Sequence, residues 1–148
     1  MRPDASLTLL TKAVVSLASV SYDASKDNGT RSLAEMACAD GAFGLTTRYG
    51  WQTQGDIPHF PYLGGWDGVG VFSGWGCGAC LAVTYDDKTV NIVVVDRIEY
   101  GLDIAETAVD ELTDGQATQI GLFDAKVKVV ASSACGVPPR ERSEDALA

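Results

Sequence analysis

Gly74-Trp75-Gly76-Cys77-Gly78-Ala79-Cys80 runs without a break into Leu81-Ala82-Val83-Thr84-Tyr85. A redox Cys-x-x-Cys normally follows a strand and opens a helix. Here the close pair sits in a glycine-rich loop, and the β-branched, apolar run after it spells a strand. The other two cysteines, Cys38 and Cys135, are distant singles. A four-cysteine zinc site usually needs two close pairs, so metal binding is disfavoured. Two structural disulfides are the favoured reading. Pairing Cys77 with Cys80 would close only a tiny loop. Joining each to a distant partner closes loops of about 40 and about 56 residues, worth roughly 4 kcal/mol apiece in the chain-entropy view. Such bridges persist in an oxidising compartment, so a secreted protein is expected.

Downstream, Asp86-Asp87-Lys88-Thr89 separates Leu81–Tyr85 from Val90–Asp96 and predicts a hairpin turn. Val90 to Val95 carries apolar residues on both parities, as a strand buried on both faces does. The last strand alternates, with Ala125, Val127, Val129 and Ala131 on one side and Lys126 and Lys128 on the other. Between them, Asp103-x-x-Glu106 is a capping signal for a helix whose Ile104, Ala105, Ala108, Val109 and Leu112 form one stripe, ended by Gly115. Upstream, Ser32-x-x-Glu35 predicts a helix over Thr30–Cys38 with Leu33, Met36 and Ala37 on one side. Asp40-Gly41 then turns the chain into Ala42–Tyr49, which fits a strand. The chain is therefore expected to be mostly strand with short helices.

At 148 residues the chain fits a single domain, and 46% hydrophobic with 21% charged residues excludes wholesale disorder. Eleven basic against twenty acidic residues give a net charge of −9, which argues against nucleic acid or an anionic membrane as partner. No apolar run has the ~20 residues needed to span a bilayer. The single histidine, His59, lies between two prolines and far from any paired nucleophile, so no cofactor or metal chemistry is expected. Met1-Arg2 followed by Leu7–Ala18 has the size of a signal peptide, interrupted by Asp4 and Lys12. Residues 1–19 are accordingly expected to be a leader or a disordered arm. Pro138-Pro-Arg-Glu-Arg-Ser-Glu-Asp145 begins a charged, non-periodic tail, and 138–148 are expected to be disordered.

The middle of the chain has no period. Tyr49, Trp51, Phe60, Tyr62, Trp66, Phe72 and Trp75 are seven of the twelve aromatics, and Gly50–Gly78 holds nine of the sixteen glycines. A long loop of this kind inside a compact domain is usually functional. About half of these rings are expected to cap the core, leaving others for recognition.

Taken together and in order, these segments resemble the cerato-platanins, small secreted fungal proteins. The likeness is carried by Val20-Ser-Tyr-Asp23, by Ala37-Cys-Ala-Asp-Gly-Ala-Phe-Gly-Leu45, by Gly55-Asp-Ile-Pro-His-Phe-Pro-Tyr-Leu-Gly-Gly65, by Gly74–Cys80, by Val94-Val-Asp96 and by Ser133-Ala-Cys135. The resemblance implies that 20–137 form a six-stranded double-psi β-barrel, shared with expansin N-terminal domains, with disulfides Cys38–Cys77 and Cys80–Cys135. It also implies a non-enzymatic protein that binds chitin or N-acetylglucosamine oligomers, loosens cell-wall polysaccharide such as chitin or cellulose, assembles at surfaces and elicits plant defence. Departures are visible: Asp103 stands where the family usually has Asn, Arg97–Leu102 is bulkier, extra aromatics lie around Trp66–Trp75, and the tail is additional.

Asp96 ends the buried strand on the parity of Ile92 and Val94, so it is expected at the barrel rim, partly desolvated. It could act as a general acid or merely accept loop amides and organise the rim. A glycosidase or transglycosylase would need a second carboxyl roughly 5 to 9 Å away. Asp40, Asp67, Glu99 and Asp103 are the candidates, although Asp40 fits a turn and Asp103 a helix cap. Binding without turnover fits better, in a shallow groove lined by Asp96, Tyr22, Asp103 and backbone at Gly41 and Gly65, with Trp66 and Trp75 as stacking platforms. A third possibility is surface activity or self-association through an exposed aromatic patch.

Overall fold

The computed structural model describes residues 14–70 and 74–138. Strands β1 (Ser16–Tyr22), β2 (Leu63–Trp66), β3 (Cys80–Tyr85), β4 (Lys88–Arg97), β5 (Leu102–Ile104) and β6 (Leu122–Val130) close into a barrel in the order β1-β5-β2-β4-β3-β6. The short helices α1 (Leu45–Tyr49), α2 (Glu106–Thr113) and α3 (Ala117–Ile120) and several 3-10 turns fill the connections. β1/β5 and β2/β4 are parallel pairs, and the remaining neighbours are antiparallel. The expected mainly-β barrel with its two staples is what the chain forms.

β4 sits between β2 and β3, and Ile92, Val93, Val94 and Val95 are all fully buried. Both parities are apolar because loops and α2 cover the face turned away from the barrel interior. Gly64 on β2 faces inward: a Cβ there would lie 2.7 Å from a methyl of Ile104 and 3.1 Å from one of Ile92. The disulfides are Cys38–Cys77 and Cys80–Cys135, as the resemblance implied. The second joins the first residue of β3 to the 3-10 turn Ser132–Cys135 that follows β6.

Several local expectations are corrected. Ala42–Tyr49 is not a strand; Leu45–Tyr49 is helical. The Leu45 and Thr46 amides donate to the carbonyls of Cys38 and Ala39, and Gly44 turns so tightly that a Cβ would lie 2.3 Å from the Ala39 oxygen. Five residues are too few to show a helical period. Thr30–Cys38 supplies only the single 3-10 turn Leu33–Glu35. Ser32 does cap it, but Glu35 pairs with Arg31 instead of returning to the cap. Asp103 is not a helix cap: Leu102–Ile104 is a strand, and Ala105 holds the N-cap position of α2. The capping is done by Asp27, whose carboxylate accepts the amides of Glu106 and Thr107 from 79 and 80 residues away. Gly115 lies one residue beyond the C-cap Asp114, and both have positive φ. The hairpin turn is only Asp86-Asp87, because Lys88 and Thr89 already pair with Tyr85 and Thr84. Along β6, Phe123, Ala125 and Val127 are buried, but Val129 is exposed where the barrel opens.

The family-like region was expected to start at Val20, and β1 begins at Ser16. Most of the expected leader and nearly all of the expected tail, residues 1–13 and 139–148, lie outside the described residues.

Candidate functional site

One row of residues crosses four adjacent strands: Ser21 on β1 is paired with Asp103 on β5, Asp103 with Gly65 on β2, and Gly65 with Asp96 on β4. Paired residues present side chains to the same face of a sheet. Since Gly64 points inward, this row lies on the outer face. A register shift between Gly64 and Gly65 skips Val95, which is why Asp96 rather than Val95 comes level with Gly65. Gly65 brings no side chain. A Cβ there would lie 2.7 Å from the Ile98 Cγ2 and 3.6 Å from the Asp96 Cβ, so the Ile98 methyl covers the position. The result is an apolar spot between two carboxyl groups.

The two carboxyls are held differently. Asp96 Oδ1 accepts the Ala37 amide at 2.8 Å and the Arg97 amide at 2.9 Å. This ties the Cys38 segment to the end of β4. Asp103 Oδ1 accepts the Ser21 hydroxyl at 3.0 Å. Burial, followed by the negative charge of Asp23, pushes the Asp103 carboxyl above its ordinary value, against the opposing pull of Ser21 and Lys26. Asp23 caps the 3-10 turn Ala24–Asp27 and accepts the Ser25 amide, the Ser25 hydroxyl at 2.6 Å and Lys26 Nζ at 2.8 Å. Burial would raise this group as well. The hydrogen bonds from Lys26 and Ser25, with the Lys26 charge, outweigh it and hold Asp23 at about 2. Lys26 itself is only 2% exposed.

The other expected site residues lie elsewhere. Tyr22 follows Ser21 and so has the opposite parity; it pairs with Ile104 and packs partly against the core. Gly41 is an exposed turn glycine whose carbonyl accepts the Gly44 amide. Trp66 is turned away from the row by the same alternation that separates it from Gly65. Its indole lies over Gly68, where a Cβ would come within 2.5 Å of the ring, and lines a cleft of about 330 Å³ with Tyr100, Val127 and Val129. Trp75 is 52% exposed. Of the remaining loop rings, Tyr49, Trp51, Phe60 and Tyr62 pack against the core, and Tyr49 stacks on Trp51 at 4.4 Å. Phe72 lies outside the described residues.

Among the proposed carboxyl partners of Asp96, only Asp103 shares its row. Asp40 and Glu99 are exposed, and Asp67 accepts the Gly101 amide at 2.7 Å. His59 is bonded through Nε2 to the Asn91 carbonyl. No group of three or more His, Cys, Asp or Glu among the described residues is placed to hold a metal ion. Ser21, Asp23, Lys26 and Ile98 are site neighbours that sequence reasoning did not select. Asp23 and Lys26 are three residues apart, a visible signal only once that segment is known to be a helical turn.

A family model described as Cerato-platanin matches residues 18–137. The chain belongs to the cerato-platanin family. Among relatives, it is similar to a heat-stable 19 kDa antigen of Coccidioides posadasii, 36% identical over 124 residues that cover 84% of each chain. Among solved structures, it resembles cerato-platanin 2 of M. perniciosa, with 32% identity and a TM-score of 0.77 over 82% of this chain and all of that one. A Clavibacter michiganensis expansin shares the fold alone, at 19% identity and a TM-score of 0.50, covering 79% of this chain and 50% of the expansin chain. The cerato-platanin match spans every strand of the barrel except the first two residues of β1, and it includes all four cysteines. Among the described residues, no helix of this cerato-platanin is long and apolar enough to cross a membrane.

Proposed function

We propose that this protein is a secreted, non-catalytic carbohydrate-binding cerato-platanin that takes neutral chitin-like or cellulosic oligomers in the groove over Gly65. One observation carries the reading: the cross-strand row sets an apolar spot between the Asp96 and Asp103 carboxyls. A sugar ring offers a C–H face to such a spot and hydroxyls to the flanking carboxyls. A neutral glycan also suits a chain of net charge −9, which would repel a polyanionic one. Two disulfides fit an extracellular setting, where wall loosening or defence elicitation would follow from capture of wall fragments.

Calorimetric titration with chitin and cellulose oligomers, alongside an assay for released reducing ends, tests this. Saturable binding without new reducing ends is expected. Sustained release of reducing ends lost in Asp96→Ala would replace the reading with a glycosidase or transglycosylase using Asp96 as acid. Absence of binding to either oligomer would reject it.

Surface activity has its own supporting observation. Leu17, Tyr100 and Val129 are each more than half exposed around the cleft beside Trp66. Exposed apolar side chains clustered in this way drive adsorption or association. Sedimentation over a wide concentration range is expected to show reversible self-association, and a concentration-independent monomer would remove this reading.

A further inference from the structure

We propose that Asn28 carries an N-linked glycan, attached through Nδ2 where the chain leaves the 3-10 turn Ala24–Asp27. The inference rests on the secreted reading of the protein, because such a glycan is attached in the secretory lumen.

Asn28-Gly29-Thr30 is an Asn-x-Thr acceptor sequence. The other asparagine, Asn91, is followed by Ile92 and Val93, so the chain has a single acceptor of this kind. Asn28 and Thr30 are both exposed. Asn28 Oδ1 accepts the Thr30 amide at 3.1 Å and the Thr30 hydroxyl at 2.9 Å. A backbone N–H can only donate, so the side-chain oxygen of Asn28 is the atom turned toward Thr30. Nδ2 is therefore turned away from it, and among the described residues Nδ2 donates to no acceptor.

The backbone beneath is pinned. The Asn28 carbonyl accepts the Arg31 amide at 3.2 Å and Nε2 of the fully buried Gln54 at 2.8 Å. The Gly29 carbonyl accepts the Gly55 amide at 2.8 Å. A Cβ at Gly29 would lie 3.3 Å from the Phe60 ring, so the middle of the acceptor presses on that ring while its two ends keep the solvent side. Replacing one Nδ2 hydrogen by a sugar thus breaks no hydrogen bond of the fold. A bulky, hydrated group is tolerated at such a surface turn. The acceptor also precedes Cys38, the first cysteine, and so enters the lumen before any bridge can close.

The step is a group transfer from an oligosaccharide carried on a polyprenyl diphosphate. Nδ2 forms a bond to C1 of the first sugar, an N-acetylglucosamine. The C1–O bond to the diphosphate breaks, the diphosphate leaves with that electron pair, and Nδ2 gives up one proton.

A side-chain turn with no modification is the competing account of the Asn28–Thr30 bonds. Two substitutions separate them. Asn28→Asp keeps acceptor oxygens for Thr30 but has no Nδ2, and Thr30→Ser keeps the hydroxyl. The full chain is expressed in a filamentous fungus, and peptides of the secreted protein are weighed before and after peptide N-glycosidase treatment. Heavy-oxygen water in that step labels residue 28 on release and separates it from spontaneous deamidation of the Asn-Gly pair. The wild type and Thr30→Ser are expected to carry the glycan on residue 28. Asn28→Asp is expected to lack it while keeping the wild-type circular dichroism spectrum. Secreted wild type with a bare Asn28 overturns the proposal. If the wild type never leaves the cell, the secreted reading fails, and the full chain behind an independently proven secretory leader decides the glycan alone. A modified Asn28 there upholds the site, and a bare one ends it.

Discussion

Asp96 and Asp103 stand on the same row, yet their neighbours give them different work. Asp96 accepts two backbone amides through one oxygen, Oδ1. Replacing it with alanine is therefore expected to cost about 1.5–3 kcal/mol, the value of a hydrogen bond to a charged group. The same change removes one of the two carboxyls that flank Gly65 in the proposed binding row. Asp96→Ala is expected to keep a native circular dichroism spectrum with a melting temperature lower by a few degrees, and to lose at least about tenfold in oligomer affinity. Unchanged affinity would take Asp96 out of the site. The acids also give stability a defined pH dependence. Asp23 is held at about 2 against an ordinary 3.8, so its contribution is complete above 3.8 and is lost as pH falls toward 2. Asp103 is raised above 3.8, so its contribution is complete below that value and disappears as pH rises through its folded-state midpoint. Chemical denaturation from about pH 3 to about pH 8 should show the Asp103→Asn protein losing less stability on the rising side than the wild type. Identical profiles would contradict the Asp103 assignment. At this scale Asp96 stands out in the sequence as a carboxyl closing an apolar run, Asp103 as a capping signal, and Gly65 within the segment that carries the family likeness. It could not separate Trp66 from Gly65 without a strand register, since a single step along a strand reverses the face.

Elements were legible in proportion to their length and pattern. β3, β4 and β6 carry enough alternating or continuous apolar residues to be found unaided, and their observed spans overlap the expected ones closely. α1, β2 and β5 have five, four and three residues, too few for any period. They exist because tertiary partners supply their hydrogen bonds. α2 shows the same principle at its start. Asp103 accepts the Ser21 hydroxyl instead of capping the helix, and Asp27 reaches in from the turn after β1 to accept the Glu106 and Thr107 amides. A carboxylate at that end also answers the positive end of the helix dipole. Asp27→Ala is thus expected to destabilise the barrel by about 1–2 kcal/mol, although residue 27 lies far from α2 in sequence. Urea unfolding measures this directly. A difference indistinguishable from zero would mean that water caps α2 equally well.

At the scale of the whole molecule, the two disulfides are similar as staples and different as supports. They close segments of 39 and 55 residues, so the chain-entropy account assigns them nearly equal value, roughly 4 kcal/mol each. Their positions are not equivalent. Cys80–Cys135 binds β3 to the turn after β6, on the side of the barrel away from the Gly65 row. Cys38–Cys77 instead anchors the segment that begins with Ala37, the residue whose amide holds Asp96. Releasing it frees one of the two donors that fix that carboxyl. Paired Cys→Ala variants separate the two effects. Both pairs are expected to lower the melting temperature substantially and by similar amounts, but Cys38→Ala/Cys77→Ala should weaken oligomer binding severalfold more than Cys80→Ala/Cys135→Ala, measured well below either midpoint. Equal affinity in the two variants would mean that β4 alone positions Asp96. An undiminished melting temperature in both would mean that the closed sheet holds itself together without covalent help. For a six-stranded barrel with one strand of three residues and one of four, that outcome would demand a far larger contribution from the β3–β4–β6 core than strand length alone supports.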